Sequence, residues 1–168
     1  NKNIKLDVYS STQVYGDAFK EANDDKWVPL YKQASELPNV NYIGYRPNQF
    51  ILDNLQNYHI FAYPSIWEET SCISAIECMS AGLYSIVTNY GALYETCSEF
   101  PIYVQYLEDY KLLAKSFATA IDIAADTLHL NVIQNNLDMQ QEFYKRFYSW
   151  EKQADTWSNF LRGVTNVK

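Results

Sequence analysis

The sequence is poor in the features that build disulfide frameworks, metal sites and membrane spans. Its three cysteines, Cys72, Cys78 and Cys97, are odd in number and form no Cys-x-x-Cys pair, which argues against a disulfide framework or a zinc site and favours a reducing, cytoplasmic compartment. No apolar run approaches membrane-spanning length. The start of the chain, from Asn1, shows no signal-peptide pattern and no initiator Met. We therefore expect that the chain has no transmembrane segment and that it is a piece of a longer protein.

Positive charge is also scarce. The chain has 13 Lys and Arg against 20 Asp and Glu, a net charge of −7, and its basic residues are scattered, so a nucleic-acid partner is not expected. A small phosphorylated ligand remains compatible, because it needs only local backbone N–H groups. With 168 residues, 48% of them hydrophobic, and no Pro/Gly/Ser linker, the chain is expected to form one domain.

Short β-rich runs alternate with helical patterns along the first two thirds of the chain. The predicted strands are residues 4–9, 40–44, 59–63, 84–88 and 102–104. Helical spacing of apolar residues predicts helices at 26–37, 49–57 and 71–81, followed by a helical tail at 108–125, 131–148 and 150–162. This alternation indicates an α/β fold, with a parallel sheet, helices on both faces and a helical C-terminal tail.

Ligands of open parallel sheets bind beyond the carboxyl ends of the strands, which here are the loops 10–16, 45–48, 64–72 and 89–95. The loop 64–72 is the most informative. It begins with a Pro-Ser turn, and Thr70 or Ser71 is predicted to cap the following helix, which Gly82 ends. The backbone N–H groups of Ser71, Cys72 and Ile73 are expected to face an anion at this helix start.

Two carboxylates flank this helix start. Glu69 lies just before the predicted helix and Glu77 about two turns into it, so both can border one cleft and accept hydrogen bonds from sugar hydroxyls. The alternative is that Glu69 complements the helix dipole and Glu77 is solvated. The neighbours of Glu77 are small and largely apolar, so its charge needs a partner, which a bound diol would supply.

The run 64–82 resembles the signature of glycosyltransferase family 4, the large retaining group of the GT-B superfamily, in which a Pro-Ser turn precedes Glu-x7-Glu and a glycine before the next strand. Glu69 and Glu77 occupy the two motif positions; Glu68 is an alternative first carboxylate, but the spacing selects Glu69. Residues 39–45, the Gly-x-x-x-Glu turn at 91–95 and the Tyr-Ser-Trp run within 147–151 resemble further family segments.

This resemblance implies a Rossmann-like donor domain spanning 1–168, which binds a nucleotide-diphosphate sugar, UDP- or GDP-linked, and transfers the sugar with retained anomeric configuration and without a metal or other cofactor. By similarity, Glu69 is catalytic and Glu77 holds the ribose. The N–H groups of 70–73 face the diphosphate, and Tyr45 and Arg46 lie near the base. The remaining donor-binding positions are those of the Gly-x-x-x-Glu turn, Gly91 and Glu95.

The sequence also departs from the family pattern. Thr70 and Cys72 stand where the family has glycines, Tyr84 replaces a proline, Tyr90 replaces a companion glycine, and 10–12 lacks a Gly-x-Gly turn. The family's basic Arg and Lys pair has no match here, since neither Arg46 nor Lys5 fits. The resemblance therefore implies that the first strand-helix unit and the N-terminal acceptor domain are missing, and that this piece alone is inactive.

Other readings stay open. An inactive nucleotide-sugar-binding or interaction module is the main alternative, and an epimerase of the same superfamily lacks positioned acid/base residues. Cys72 is interpreted as structural and not as a nucleophile, and His59 and His129 as structural. Asp24 and Asp25 are interpreted as part of a solvated loop. The stripe that contains Trp150 and Trp157 predicts core packing or docking on the missing domain.

Overall fold

The computed structural model describes residues 4–165. The chain divides near Asp53 into two compact units, which are described separately. The assignment of the whole chain as one donor domain stays a prediction.

The first unit pairs two short strands in parallel. Strand β1 (Leu6–Val8) lies beside β2 (Val40–Tyr42), with Leu6 opposite Val40. A short 3₁₀ helix (Thr12–Tyr15) and helix α1 (Asp17–Ser35) connect them, and α2 (Asn48–Asn54) follows β2. The rings of Tyr31 and Tyr42 stack at 4.9 Å, which packs α1 on β2.

Helix α1 is longer than the sequence indicated. It starts at Asp17 instead of residue 26, so Asp24 and Asp25 lie within a helix, and their interpretation as a solvated loop was wrong. Residues 17–25 are mostly polar or charged, and therefore the first turns of the helix carry no apolar period that would reveal them. Pro29, which lacks a backbone N–H, lies inside the helix and further obscures the pattern.

The second unit contains a three-stranded parallel sheet in the order β3, β4, β5. These strands are Ile60–Tyr63, Tyr84–Asn89 and Ile102–Gln105. A 3₁₀ turn (Leu55–Asn57) leads into β3. The helices of this unit are α3 (Ile73–Ser80), α4 (Leu93–Cys97), α5 (Tyr110–Thr127), α6 (Asn131–Tyr148) and α7 (Trp150–Thr165).

Helices cover both faces of this sheet. Ile86 and Val104 pack on one face against Phe117 of α5, and Val87 packs on the other against Met79 of α3. Successive residues of a strand point to opposite faces, so the apolar run of β4 supplies both cores. The expected α/β fold with parallel strands, flanking helices and a helical tail is therefore confirmed, with the strands in two sheets.

Helix α6 anchors the two short helices that follow β3 and β4. The buried Gln140 side chain donates from Nε2 to the carbonyl oxygens of Met79 (3.0 Å) and Leu83 (3.1 Å), at the end of α3. One turn later, the hydroxyl of Tyr144 donates to the carbonyl oxygen of Thr96 in α4 at 2.6 Å. Buried hydrogen bonds to backbone fix α3 and α4 against the core.

The tail ends in an exposed amphipathic helix. Helix α7 contains no buried residue, and its Trp150 is 89% and Trp157 60% exposed. The prediction that these tryptophans pack in a core was wrong, because the sheet faces are already covered by the other helices. Docking of this stripe on another domain stays a prediction.

Candidate functional site

The loops that follow β3 and β4 meet at the carboxyl edge of the sheet. The two strands are parallel neighbours, with Tyr63 opposite Val87, so their carboxyl ends share one edge. The backbone N–H of Ala92 donates to the carbonyl oxygen of Glu69 at 2.7 Å, and the Thr88 hydroxyl donates to the carbonyl oxygen of Ser65 at 2.7 Å. The predicted loop 64–72 is thus tied to the loop 89–95 at Ala92 and to the end of β4 at Thr88.

Gly91 lies where these loops pack closely on each other. A Cβ atom placed there would lie 2.5 Å from the backbone nitrogen of Glu69 and 2.7 Å from its carbonyl oxygen, and the residue has φ +57°. Both the contact and the backbone conformation favour glycine. The structure therefore gives Gly91 a packing role, while its contact with a donor stays a prediction.

The carboxylate of Glu69 is held from the sheet side. Its residue is half-buried, and its Oε1 accepts a hydrogen bond from the Tyr63 hydroxyl at 2.6 Å. Burial and this bond to Glu69 raise the pKa of Tyr63 far above its ordinary value, so the phenol stays protonated and remains a donor. Sequence reasoning missed Tyr63; its only signal is an aromatic residue at the strand end before the Pro-Ser turn.

The helix after this loop starts later than predicted. Cys72 is the N-cap of α3 and its side chain makes no capping bond, so the expectation that Thr70 or Ser71 caps the helix was wrong. Burial of Cys72 in the core places the helix start there. Ser71 and Ile73 are exposed, and the first N–H groups of a helix have no acceptor within it. An anion in front of α3 would find these N–H groups.

Glu77 lies on α3 slightly more than one turn from its start at Ile73, and not two turns as expected. It is half-buried, next to Cys78 and two residues from Ala75, both of which are buried. Burial, and secondarily the charge of Glu77, raises the pKa of Cys78 to about 12. Glu77 therefore lies on a partly buried stretch of α3, and its contact with a diol stays a prediction.

The buried side chain of Cys72 belongs to the core. It is 4% exposed and packs with Ala75, Val87 and Leu93. Burial raises the pKa of its thiol, and a thiolate, not a thiol, is the nucleophile. This environment favours the structural interpretation of Cys72. A side chain buried in this way also does not extend in front of the helix, whereas that of Thr70 is exposed.

The Gly-x-x-x-Glu segment forms a short helix and an aromatic pair. Glu95 is an exposed residue in the first turn of α4, which the sequence had indicated as a loop. Just before Gly91, the ring of Tyr90 stacks on that of Tyr106, with centroids 4.0 Å apart and planes at 11°. Since Tyr106 follows β5, this pair lines the carboxyl edge beyond β4, and sequence reasoning had not joined the two residues.

The residues assigned to the base lie in the first unit. Tyr45 and Arg46 are exposed, and a guanidinium nitrogen of Arg46 donates to the carbonyl oxygen of Tyr45 at 2.7 Å. The guanidinium also lies 5.8 Å from the ring centre of Phe50, within cation-π range. Their placement near a nucleotide base stays a prediction.

Two features are absent from residues 4–165. No group of three or more His, Cys, Asp and Glu side chains in this range could hold a metal ion. No helix in the same range combines the length and apolar character needed to cross a bilayer.

The chain belongs to a family of sugar-transferring enzymes. Residues 12–135, more than half of the chain, match the family described as "Glycosyl transferases group 1". A comparison with curated protein sequences finds no significant match.

Two solved structures share its fold. One is a glycosyltransferase from Rickettsia africae ESF-5, with a TM-score of 0.72, 14% sequence identity, and coverage of 100% of this chain and 50% of that one. The other is a sucrose-phosphate synthase from Thermosynechococcus elongatus, with a TM-score of 0.74, 18% identity, and coverage of 99% and 39%. The chain therefore spans half or less of the length of these structures.

Proposed function

We propose that this chain is the C-terminal, donor-binding domain of a cytoplasmic, retaining glycosyltransferase of family 4, which takes its sugar from a UDP- or GDP-sugar without a metal. One observation carries the proposal. The half-buried Glu69 carboxylate is held at the carboxyl edge of a parallel sheet, where two strand-end loops meet and α3 begins. Membership in the family of glycosyl transferases supports it independently.

Different residues of the site are proposed to contact different parts of the donor. The backbone N–H groups of residues 70–73 and the positive end of α3 would face the diphosphate. Glu77 would accept hydrogen bonds from the ribose hydroxyls, and Gly91 and Glu95 would border the donor. Glu69 would lie near the reacting carbon and favour the positive charge that develops there as the bond to the diphosphate breaks.

The other half of the enzyme is proposed to lie outside this chain. Both matched structures are at least twice as long as the part that aligns. We propose that the acceptor-binding domain, and basic residues that neutralise the leaving diphosphate, come from that part. The residues 4–165 alone are then expected to bind donor weakly and to transfer no sugar; detectable transfer by the isolated chain would contradict this.

The test uses the full-length protein with UDP-, GDP-, ADP- and CDP-sugars, and follows melting temperature and donor hydrolysis. One donor class is expected to stabilise the protein. Glu77→Gln is expected to weaken donor binding by about 10- to 100-fold, as for a lost hydrogen bond to a charged group. Glu69→Gln is expected to lower turnover more than binding. Glu99→Gln, an exposed change in the same unit, is the matched control.

The outcomes separate the alternatives. If no donor raises the melting temperature, the transferase proposal fails. Stabilisation by a donor with no turnover across a broad acceptor panel would instead identify the inactive nucleotide-sugar-binding module.

A further inference from the structure

Tyr63 is placed by the core of the second unit and not by the loop that follows it. It is the last residue of β3 and pairs with Val87 of β4. Its ring stacks on that of Phe61, with centroids 5.6 Å apart and planes at 15°, and packs against the buried cluster beneath α3. A phenol fixed in this way is a rigid point at the edge of the sheet.

The hydroxyl of this rigid phenol contacts the carboxylate of Glu69. The 2.6 Å bond to Oε1 has the length of a charge-assisted O–H to carboxylate bond, about twice as strong as a neutral one. The backbone of Glu69 is held by other groups, since its N–H donates to the carbonyl oxygen of Trp67 (3.0 Å) and its carbonyl accepts from Ala92 (2.7 Å). Tyr63 therefore constrains the side chain specifically.

We propose that Tyr63 is a positioning residue for Glu69, and this inference rests on the proposed function of that carboxylate. A carboxylate has two oxygens with about four acceptor sites. The bond from Tyr63 uses one site at Oε1 and sets the orientation of the group, which leaves the other oxygen for the donor sugar. A carboxylate held in place before the donor arrives needs no reorganisation as charge develops.

The ring and the hydroxyl of Tyr63 have separable roles. The ring fills space against Phe61 and the buried cluster, and phenylalanine would keep that packing. The hydroxyl donates to Glu69, and the thiol of Cys72 lies beside it and contributes to its raised pKa. Removal of the hydroxyl therefore acts on the carboxylate with little change in the core.

The test compares Tyr63→Phe with Tyr103→Phe in the full-length protein, with UDP-glucose and GDP-mannose as donors and release of nucleoside diphosphate as the signal. Tyr103 is the matched control, since it packs against the same cluster and its hydroxyl donates to the carbonyl oxygen of Ser98. Tyr63→Phe is expected to lower kcat by about 10- to 100-fold and to change KM by less than about threefold. Tyr103→Phe is expected to change neither.

A double-mutant cycle with Glu69→Ala completes the test, because residues that act through one contact lose additivity. Tyr63→Phe is expected to cause no further loss in the Glu69→Ala background. The inference is overturned if Glu69→Ala lowers kcat while Tyr63→Phe alone does not, if the two losses add, or if Tyr63→Phe prevents folding and Tyr103→Phe does not. If Glu69→Ala leaves kcat unchanged, or neither donor is turned over, the proposed function itself fails and this inference with it.

Discussion

The two units of the chain differ in how their secondary structure is held. The buried hydrophobic residues among the described side chains all lie between Leu55 and Tyr144, in the second unit. In the first unit α1 buries no residue, and the rings of Tyr31 and Tyr42 stack between α1 and β2. Segments with few buried contacts open locally at low free energy. The first unit is therefore expected to open more readily than the second.

This difference bears on the candidate site. Glu69 and Gly91 belong to loops that pack on each other, and the partly buried Tyr63 ties Glu69 to the sheet of the second unit, so we expect their geometry to be set before a ligand binds. Tyr45 and Arg46 lie on an exposed stretch of the first unit. We therefore expect Glu69 and Gly91, at the carboxyl edge of the sheet, to be preorganised, and the predicted base contacts of Tyr45 and Arg46 to be adaptable.

The largest test of this comparison truncates one apolar residue in each unit. Met79 of α3 is 0% exposed, whereas Leu30 of α1 is 50% exposed. Met79→Ala is expected to lower the free energy of unfolding by about 2–5 kcal/mol, because it removes buried surface and leaves a cavity. Leu30→Ala is expected to cost about 0.5 kcal/mol or less. Urea unfolding measures the free energy of unfolding of both variants. Comparable losses in the two variants would contradict the expected difference between the units.

The next test concerns the loop junction. Gly91→Ala is expected to lower the free energy of unfolding by about 2–4 kcal/mol, because its Cβ meets the backbone of Glu69 and its φ is left-handed. Gly163→Ala, in α7, meets no atom within 4 Å and is expected to be neutral or stabilising by up to about 1 kcal/mol. Equal thermal shifts for the two variants would show that the loops are not closely packed at Gly91.

The same contrast explains which elements could be predicted from the sequence. Strand β4 was predicted almost as observed because it is a short, continuously buried run rich in strand-forming residues, and helix α6 because its buried residues recur at helical spacing. The start of α1 was missed because residues 17–25 are mostly polar or charged and show no such period. The burial that stabilises the second unit therefore also makes its secondary structure predictable from the sequence.

For the candidate site, the sequence indicated which residues lie at the same edge of the sheet but not which hydrogen bonds hold them. The position of the loops 64–72 and 89–95 after parallel strands predicted Glu69 and Gly91 at one edge, and the structure packs these loops on each other. The bond from Tyr63 to Glu69 depends on the path of the loop between them, which no local pattern encodes. The cap was misplaced because Thr70 and Ser71 are both good capping residues, while burial of Cys72 decided where α3 begins.

A pH-dependent effect should appear in alkali and belongs to the second unit. Burial raises the pKa of the Cys78 and Cys97 thiols from 9.0 to about 12. Because the pKa values of these thiols are higher in the folded than in the unfolded protein, their protonated forms contribute to stability. This stabilising contribution is present in full below pH 9 and is lost as the pH rises towards about 12. The free energy of unfolding should fall by about 1 kcal/mol per pH unit for each thiol in this window.

The measurement is the melting temperature between pH 8 and 11, for the wild-type protein and a Cys78→Ala, Cys97→Ala double variant. The double variant is expected to have a shallower slope above pH 9. An unchanged slope would assign the alkaline loss to other groups, such as the partly buried Tyr103 and the buried Tyr144, whose pKa values burial also raises.

The smallest effect is expected in the first unit, at Asp24 of α1. Its carboxylate accepts hydrogen bonds from Lys20 and from the Thr12 hydroxyl, which hold its pKa below the ordinary value of 3.8. Because the pKa of Asp24 is lower in the folded than in the unfolded protein, its ionised carboxylate contributes to stability. This stabilising contribution is present above pH 3.8 and is lost as the pH falls below that value. Asp24→Asn is expected to speed amide hydrogen exchange in α1 by about two- to threefold at pH 7, since exposed ion pairs stabilise little. Asp25→Asn, at the exposed neighbouring position, should not change it, and an equal change in both variants would show that α1 responds to net charge and not to this contact.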